Sequence, residues 1–383
     1  MLPKLSLPAF SLGSTRHVLV VYLVKELLLY FLIAFLFFFM VFFVNQILLM
    51  AEDILKKRVP VLDVVRLIGY SLPFIIAQSA PFATLVGFLM CLGRMMTDNE
   101  ILIMRACGKS FLIILVPVLV LGLAISVLSF FVNDYLLPLG TISYNKLYRN
   151  ILYSDPTIEL ESNSVKRTED TTLVIGEVEG TLVSDLIFFD TDDRGQTRVI
   201  VSGPTEIVNS GVPGILMSLD MESSTVCVFE PGEDQAYTVM TAGETHMSVF
   251  ASSFFSDSSS TNPREMTSFD LFRHIRRVAE EGTSSTLQMN MYRLEFHKKF
   301  SLPFASVFFA LLAMPLAIIF GKHNGQTVGL IIGIFLCVAY WAAMILGQTF
   351  GIRQGLDGFW TMWLPDFLVG VAGLLFYFRL ARR

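Results

Sequence analysis

The chain has 383 residues, of which 54% are hydrophobic and 16% charged, and its formal net charge is −5. Its mean hydropathy is +0.62, which lies outside the range of ordinary soluble domains. These values exclude a typical soluble enzyme, give no reason to expect a nucleic-acid partner, and indicate an integral membrane protein.

Six long apolar runs divide the chain. About 20 helical residues, at ~1.5 Å each, cross a hydrocarbon core of roughly 30 Å, so each run is long enough to span it. The sequence therefore predicts six transmembrane helices, at Leu27–Met50, Leu67–Gly93, Ser110–Asn133, Phe300–Gly321, Thr327–Phe350 and Gly358–Phe378. The first run could instead be a secretory signal peptide, but it is about twice too long and begins too late in the chain.

The loop after the second run ends in Gly-Lys-Ser at 108–110. A nucleotide-binding P-loop also needs a glycine five residues earlier, where Ile103 stands, so this chain is not expected to hydrolyse ATP. Thr97 and Glu100 have capping-box spacing, and Gly108 can end a short helix in a left-handed turn. Periodicity alone leaves two interpretations open, a solvated loop helix and a docking helix for a cytoplasmic partner.

The region between the third and fourth runs is acidic. Asp155–Asp257 contains 19 acidic and 4 basic residues. Short runs rich in Val, Ile, Thr and Phe alternate there with turn clusters such as TDDRGQ and NSGVPG, which predicts a β-sandwich or jelly roll. Thr267 and Asp270 then have capping-box spacing and predict a partly amphipathic helix that leads towards the fourth run.

Basic residues in the short loops predict the orientation of the chain. With the N-terminus inside the cell, the inner segments contain ten Lys and Arg residues and the short outer loops contain five. This orientation places the acidic β-rich region outside the cytoplasm. The basic cluster Lys56–Arg58 in the first outer loop argues against it.

The stretch Leu72–Ser110 resembles the signature region of the lipopolysaccharide-export permease family, LptF/LptG type. It has a proline-containing helix, then Gly93-Arg94, then Glu100, and it ends in Arg-Ala-x-Gly-x-Ser at 105–110. Further similar stretches are FVNDYLLP, YRLEFHKKFSLPFASVFFALLAMPLA, GKHNGQTVGLIIG and WLPDFLVGVAGLLFYFRL. The resemblance implies an α-helical membrane protein with six transmembrane helices (3+3) and an inserted extracytoplasmic β-jelly-roll-like domain. The implied boundaries are 1–135, 136–266 and 267–383.

The resemblance also implies a function. Such a chain is the permease subunit of an ATP-binding-cassette exporter. The exporter extracts lipopolysaccharide or a related glycolipid from the bacterial inner membrane and passes it to a periplasmic jelly-roll bridge. The implied partners are a cytoplasmic ATPase dimer, a second paralogous permease and a single-span periplasmic bridge protein. No cofactor is expected in this chain, because ATP and magnesium would bind the ATPase.

The family's coupling helix corresponds to residues 94–109 of this sequence. Glu100 is then the main coupling residue, and Arg94, Arg105 and Gly108 support it. With this resemblance, the docking interpretation of the short helix is favoured over a solvated loop helix.

Lipid-path candidates are identified in part by a departure from the family. Family members often have a basic residue near the outer end of the first span, where this sequence has Asn45 and Gln46, with Lys56, Lys57 and Arg58 just beyond. These residues are candidates for binding the lipid head group, and an ordinary polar loop is the alternative. Asp366 interrupts the sixth run, where a carboxylate either faces a cavity or partner or reaches the membrane interface.

Two other functions compete with this interpretation. One is a membrane-anchored sensor or scaffold whose extracytoplasmic β-domain binds a ligand, which co-purification with an ATPase would distinguish. The other is a permease of the macrolide- or lipoprotein-export kind. Such permeases have four spans, with the large domain between the first and second, so the six runs favour the first assignment.

Overall fold

The computed structural model describes residues 12–54, 60–154, 162–167, 171–191, 196–208, 215–229, 237–250, 262–282 and 285–382. The chain forms two compact units. The helical unit comprises Met1–Glu52, Ile68–Ile142 and Asn262–Arg383, and the sheet unit comprises Asp53–Leu67 and Ser143–Thr261.

Long helices dominate the chain. They are α1 (Leu12–Ile54), α2 (Val61–Thr97), α3 (Glu100–Ala106), α4 (Leu112–Phe131), α5 (Leu137–Ser154), α6 (Ser268–Glu281), α7 (Thr286–Phe320), α8 (Gly325–Gln354) and α9 (Gly358–Ala381). A π-helical turn, Val132–Leu136, joins α4 to α5, and a 3-10 turn, Pro263–Glu265, precedes α6.

Six helical segments within the described residues are long and apolar enough to cross a membrane. They are His17–Met50, Val61–Thr97, Leu112–Ile151, Thr286–Phe320, Gly325–Gln354 and Gly358–Ala381. This confirms the predicted number of membrane helices. The third segment is longer than its uncharged run, because the helix continues through the π-helical turn into α5.

Glycines let α8 approach α2 closely. Gly325, Gly329 and Gly333 repeat every four residues and so lie on one face of α8. A Cβ added to Gly325 would overlap the backbone of Gly93, and one added to Gly329 would lie 2.7 Å from the carbonyl oxygen of Leu89. Small residues at such spacing allow the helix backbones to touch, which stabilises helix pairs in membranes. Accordingly, α2 is the most enclosed of the six spans. In its most apolar stretch of 18 residues 83% are buried, against 22% in that of α1.

The sheet unit contains two antiparallel sheets. Its strands are β1 (Ser164–Arg167), β2 (Thr171–Ile175), β3 (Val178–Glu179), β4 (Leu182–Val183), β5 (Leu186–Thr191), β6 (Thr197–Ser202), β7 (Thr205–Val208), β8 (Ile215–Met221), β9 (Ser224–Phe229), β10 (Tyr237–Ala242) and β11 (Thr245–Phe250). The strand orders are β1-β2-β5-β6-β9-β10 and β11-β8-β7-β4-β3.

The two sheets share one apolar core. Alternate residues of each strand point to the same face of a sheet. Leu173 and Phe188 of the six-stranded sheet therefore meet Ile207, Met217 and Leu219 of the five-stranded sheet in a single buried cluster. An inserted antiparallel β region, predicted from the alternating sequence, is thus present.

The helix predicted after the β region is also present as α6. The Thr267 hydroxyl accepts a hydrogen bond from the backbone N–H of Asp270 at 3.2 Å, which is the predicted cap. Gly282 ends the helix in a left-handed conformation with φ 63°. Sequence spacing alone was sufficient here because both caps are local.

Candidate functional site

The segment between α2 and α4 begins differently from the prediction. Thr97 was predicted to cap α3, but it is the last residue of α2. Its hydroxyl accepts a hydrogen bond from the N–H of Gly325 at 2.8 Å and donates to the carbonyl of Gly321 at 2.9 Å. The predicted cap is wrong because these tertiary partners occupy the hydroxyl. Asn99, in a left-handed conformation with φ 59°, precedes α3 instead.

The end of α3 agrees with the prediction. Gly108 is left-handed, with φ 77°. Its N–H bonds to the carbonyl of Arg105 at 2.9 Å, and the N–H of Lys109 bonds to that of Met104 at 3.2 Å. These two bonds form a Schellman motif, which satisfies the last carbonyls of the helix. The Arg105 guanidinium lies 4.0 Å from the centre of the Phe111 ring, so a cation–π contact also holds the turn.

Glu100 is joined to α1. The Tyr22 hydroxyl donates to the Glu100 carboxylate, at 3.1 Å from Oε1 and 3.2 Å from Oε2. A carboxylate accepts a stronger hydrogen bond than a neutral oxygen does. The first residue of α3 is therefore held by a side chain 78 positions earlier in the chain.

Arg94 forms a second link to α1, one helical turn further along. Its Nη2 lies 2.8 Å from Oε2 of Glu26, and its guanidinium lies 5.5 Å from the centre of the Tyr30 ring. Side-chain exposure is 30% for Arg94 and 21% for Glu26, so water screens this ion pair only partly. Because Tyr22 and Glu26 are four residues apart, the two links lie side by side on α1.

The remaining surface of α3 is apolar and open. Ile101 is 1% exposed and fixes the helix to the bundle, whereas Leu102 is 51% and Ile103 is 61% exposed. Exposed apolar residues are ordinary on a lipid-facing span but need an explanation in a loop between spans. The arrangement can therefore receive a partner on one side and transmit its movement to α1 on the other.

Comparison with known families identifies the chain. A family described as "Lipopolysaccharide export system permease LptF/LptG" matches residues 21–379. The chain belongs to the LptF/LptG family. A comparison with curated proteins finds no match. The matched range includes α1, α3 and the β region, so the LptF/LptG assignment covers the candidate site and nearly the whole chain. Membership in the LptF/LptG family makes this chain a transmembrane permease of lipopolysaccharide transport.

The lipid-path candidates of this LptF/LptG permease lie in different environments. Asn45 is exposed and Gln46 is half-buried on α1. Lys56, Lys57 and Arg58 lie outside the described residues. Their role in the lipid path remains a prediction.

Asp366 is fully buried, so its carboxylate faces neighbouring helices and not water. The Ser301 hydroxyl lies 2.7 Å from its Oδ2, and the Tyr340 hydroxyl donates to its Oδ1 at 2.9 Å. Asp366 thus connects α9 to α7 and α8, as expected for a polar group that needs partners in an apolar setting. Its predicted role in the lipid path remains untested.

Sequence reasoning missed Tyr22 and Glu26 in this LptF/LptG chain. One signal was present, since Tyr22, Glu26 and Tyr30 recur every four residues, and the first two come just before the first apolar run. Residues at this spacing share a helix face. Their partners Glu100 and Arg94 could not be read from spacing, because they lie 78 and 68 positions away.

Proposed function

We propose that this LptF/LptG-family chain is the permease subunit of an ATP-binding-cassette exporter. It extracts lipopolysaccharide or a related glycolipid from the inner membrane and passes it to a periplasmic jelly-roll bridge that leads to the outer membrane. The observation that carries the proposal is the position of α3, which exposes Leu102 and Ile103 and is tied to α1 through Glu100. Arg94, near the end of α2, forms a second link to α1 beside it.

The proposed partner at α3 is a cytoplasmic ATPase dimer. Leu102 and Ile103 supply apolar contact area, and Glu100 and Arg105 supply charged groups around it. ATP and magnesium bind the ATPase, so this chain needs no cofactor and catalyses no reaction. Closure of the ATPase dimer then displaces α3.

Displacement of α3 is transmitted through two routes. One is the pair of links to α1, from Glu100 to Tyr22 and from Arg94 to Glu26. The other is the Thr97 hydroxyl, which is bonded to the turn between α7 and α8. Movement along both routes changes the bundle cavity that the chain forms with a second paralogous permease. The glycolipid is thereby displaced, and its acyl chains enter the apolar interior of the β-domain.

The lipid enters beside α1 in this mechanism. Only 22% of the residues in the most apolar stretch of α1 are buried. The other residues of that stretch are therefore available for contact with acyl chains or the second permease. Asn45, Gln46, Lys56, Lys57, Arg58 and Asp366 remain the proposed lipid-path residues. The β-domain lies in the periplasm, where it meets the single-span bridge protein.

Co-purification tests the proposal. The ATPase should be recovered with the wild-type permease pair from native membranes, and Ile103→Asp should reduce its recovery severalfold by placing a charge on the docking surface. Leu182→Asp is the matched control, because Leu182 is a similarly exposed apolar residue in β4 of the sheet unit and belongs to neither route. The proposal would be overturned if Ile103→Asp left the recovery of the ATPase unchanged. It would also be overturned if the purified chain alone hydrolysed ATP.

A further inference from the structure

Helix α6 exposes an apolar surface that transport does not explain. It has 14 residues, and Leu271 and Val278 bury one side of it against the bundle. On the other side, Phe269 is 60% and Phe272 is 53% exposed. Two exposed phenylalanines one turn apart are unfavourable in water, so a partner of low polarity is expected to cover them.

The first residue of α6 lies where an apolar run ends. The backbone N–H of Ser268 donates to Oδ1 of Asp134 at 2.6 Å. Asp134 is the first charged residue after the uncharged run Ser110–Asn133. Because such a run occupies the hydrocarbon core of the membrane, its end marks the boundary with the head groups.

Contacts with α7 place α6 at the same depth in the membrane, independently of Asp134. The ring centres of Phe272 and Phe296 are 5.9 Å apart, and those of Phe296 and Phe300 are 5.3 Å apart. Phe300 begins the uncharged run Phe300–Gly321. Phe296 is one turn before it, about 6 Å along the helix axis. Phe272 therefore lies within the interfacial layer, at the outer edge of the hydrocarbon.

The positively charged residues beside the phenylalanines are suited to the head-group layer of a membrane. The Arg273 guanidinium lies 4.0 Å from the centre of the Phe269 ring, and Arg277 is exposed one residue beyond Arg276. Arg276 is instead paired with Glu280 at 3.1 Å. Arginines adjoining aromatic residues are typical of helices that lie in the membrane surface, since a guanidinium forms paired hydrogen bonds with phosphate.

We propose that α6 lies in the membrane–water interface and binds the phospholipids of the surrounding leaflet. Phe269 and Phe272 insert at the boundary between head groups and acyl chains, and Arg273 and Arg277 bind lipid phosphates. The helix thereby holds the chain at a fixed depth just before α7 enters the membrane. This inference depends on neither the ATPase nor the transported glycolipid.

Spin labelling tests the depth of α6 in the assembled transporter. The complex is placed in nanodiscs of phosphatidylethanolamine and phosphatidylglycerol, with Cys107 and Cys227 replaced by serine. A nitroxide is attached in turn at Phe269→Cys, Phe272→Cys and the control Glu281→Cys, which is exposed on the side of the same helix opposite Phe272. Collisions with oxygen should exceed those with a water-soluble nickel chelate at 269 and 272, and the reverse should hold at 281.

Two results would overturn the proposal. Strong collision with the nickel chelate at 269 and 272 would place these residues in water. Shielding of both labels from both reagents would assign the surface to a protein partner such as the second permease. If the cysteine variants fail to assemble, Phe272→Trp provides a second readout. Lipids brominated near the head-group end of the acyl chain should quench it severalfold more than Glu281→Trp, which lies on the opposite side of the helix. Equal quenching of the two would contradict the proposed depth.

Discussion

Glu26 is the residue through which Arg94 is tied to α1. At 2.8 Å and about one-fifth exposed, its carboxylate is the closest charged partner of the guanidinium. Within the described residues Arg94 Nε has no hydrogen bond, and its other acidic neighbour, Asp98, lies 4.0 Å away and is not part of α1. Glu26→Gln should weaken the contact by about 1 kcal/mol, since a partly exposed ion pair contributes about that much.

The expected consequence is looser coupling with intact docking, because Glu26 lies on α1 and not on the exposed surface of α3. Glycolipid released per ATP hydrolysed should fall in Glu26→Gln, while the amount of co-purified ATPase stays constant. The exchanged pair Glu26→Arg with Arg94→Glu should restore part of the ratio. A normal ratio in Glu26→Gln would show that this link transmits nothing.

The protonation state of Asp366 determines which hydrogen bonds it can form with Ser301. Ser301 has one hydroxyl hydrogen, yet its oxygen lies 2.8 Å from the Met362 carbonyl and 2.7 Å from Oδ2 of Asp366. Either Ser301 shares its one hydrogen between the two acceptors, or it donates to the carbonyl and Asp366 carries a proton that it donates to Ser301. The second arrangement gives two separate hydrogen bonds. A neutral carboxylic acid also avoids placing a charge in the membrane interior.

Asparagine should therefore replace Asp366 well, since its amide donates to Ser301 and accepts from Tyr340. Alanine should destabilise the helical unit by about 1–3 kcal/mol, because the buried Tyr340 hydroxyl loses its acceptor, whereas Ser301 keeps the Met362 carbonyl. Thermal unfolding of the two variants in the same detergent measures the difference. Equal loss of stability in Asp366→Asn and Asp366→Ala would indicate an ionised carboxylate instead.

Helices α2 and α8 pack together without an intervening side chain at one point. The backbones touch at Gly93 and Gly325, so a methyl group at either position must force the helices apart. Gly325→Ala should cost about 1–3 kcal/mol, as overpacking of a close contact usually does. It should also lower transport, because the turn bonded to Thr97 would shift.

Gly69→Ala is the matched control in α2. A Cβ at Gly69 would meet nothing within 4 Å. Alanine is favoured over glycine within a helix by about 0.5–1 kcal/mol, so this variant should be neutral or slightly more stable. Unfolding temperatures of the two variants in nanodiscs give the comparison. Similar values would show that the α2–α8 approach carries no steric constraint.

For the molecule as a whole, two native cysteines report on the proposed orientation. Cys107, at the end of α3, is exposed, and Cys227 in β9 is half-buried, whereas Cys91 and Cys337 are buried within the spans. A membrane-impermeant maleimide should label Cys227 in spheroplasts and Cys107 in inverted inner-membrane vesicles. Cys107→Ser and Cys227→Ser identify each signal. The opposite pattern would place the β-domain in the cytoplasm.

Features with local causes could be predicted from the sequence. The six spans follow from apolar runs long enough to cross the hydrocarbon core, and α6 follows from Thr267 and Asp270, three residues apart. The left-handed end of α3 follows from Gly108. Each of these depends on neighbours within a few positions, so the pattern contains the information.

Features that depend on distant partners could not be predicted. Thr97 has the spacing of a cap, but Gly321 and Gly325, more than 220 positions away, take its hydroxyl. Asp366 could not be assigned an environment until Ser301 and Tyr340 were located on other helices. Tertiary competition for a single donor or acceptor is invisible in a linear pattern.

The close approach of Gly93 and Gly325 has a consequence for the second half of the polypeptide. Side chains between helices can change rotamer and absorb a small shift, whereas two peptide groups in contact have no such freedom. A movement of the C-terminal end of α2, where Gly93 lies, must therefore also displace α8. In the proposed mechanism the last three helices therefore move together with the first three, even though the ATPase is proposed to dock only on α3.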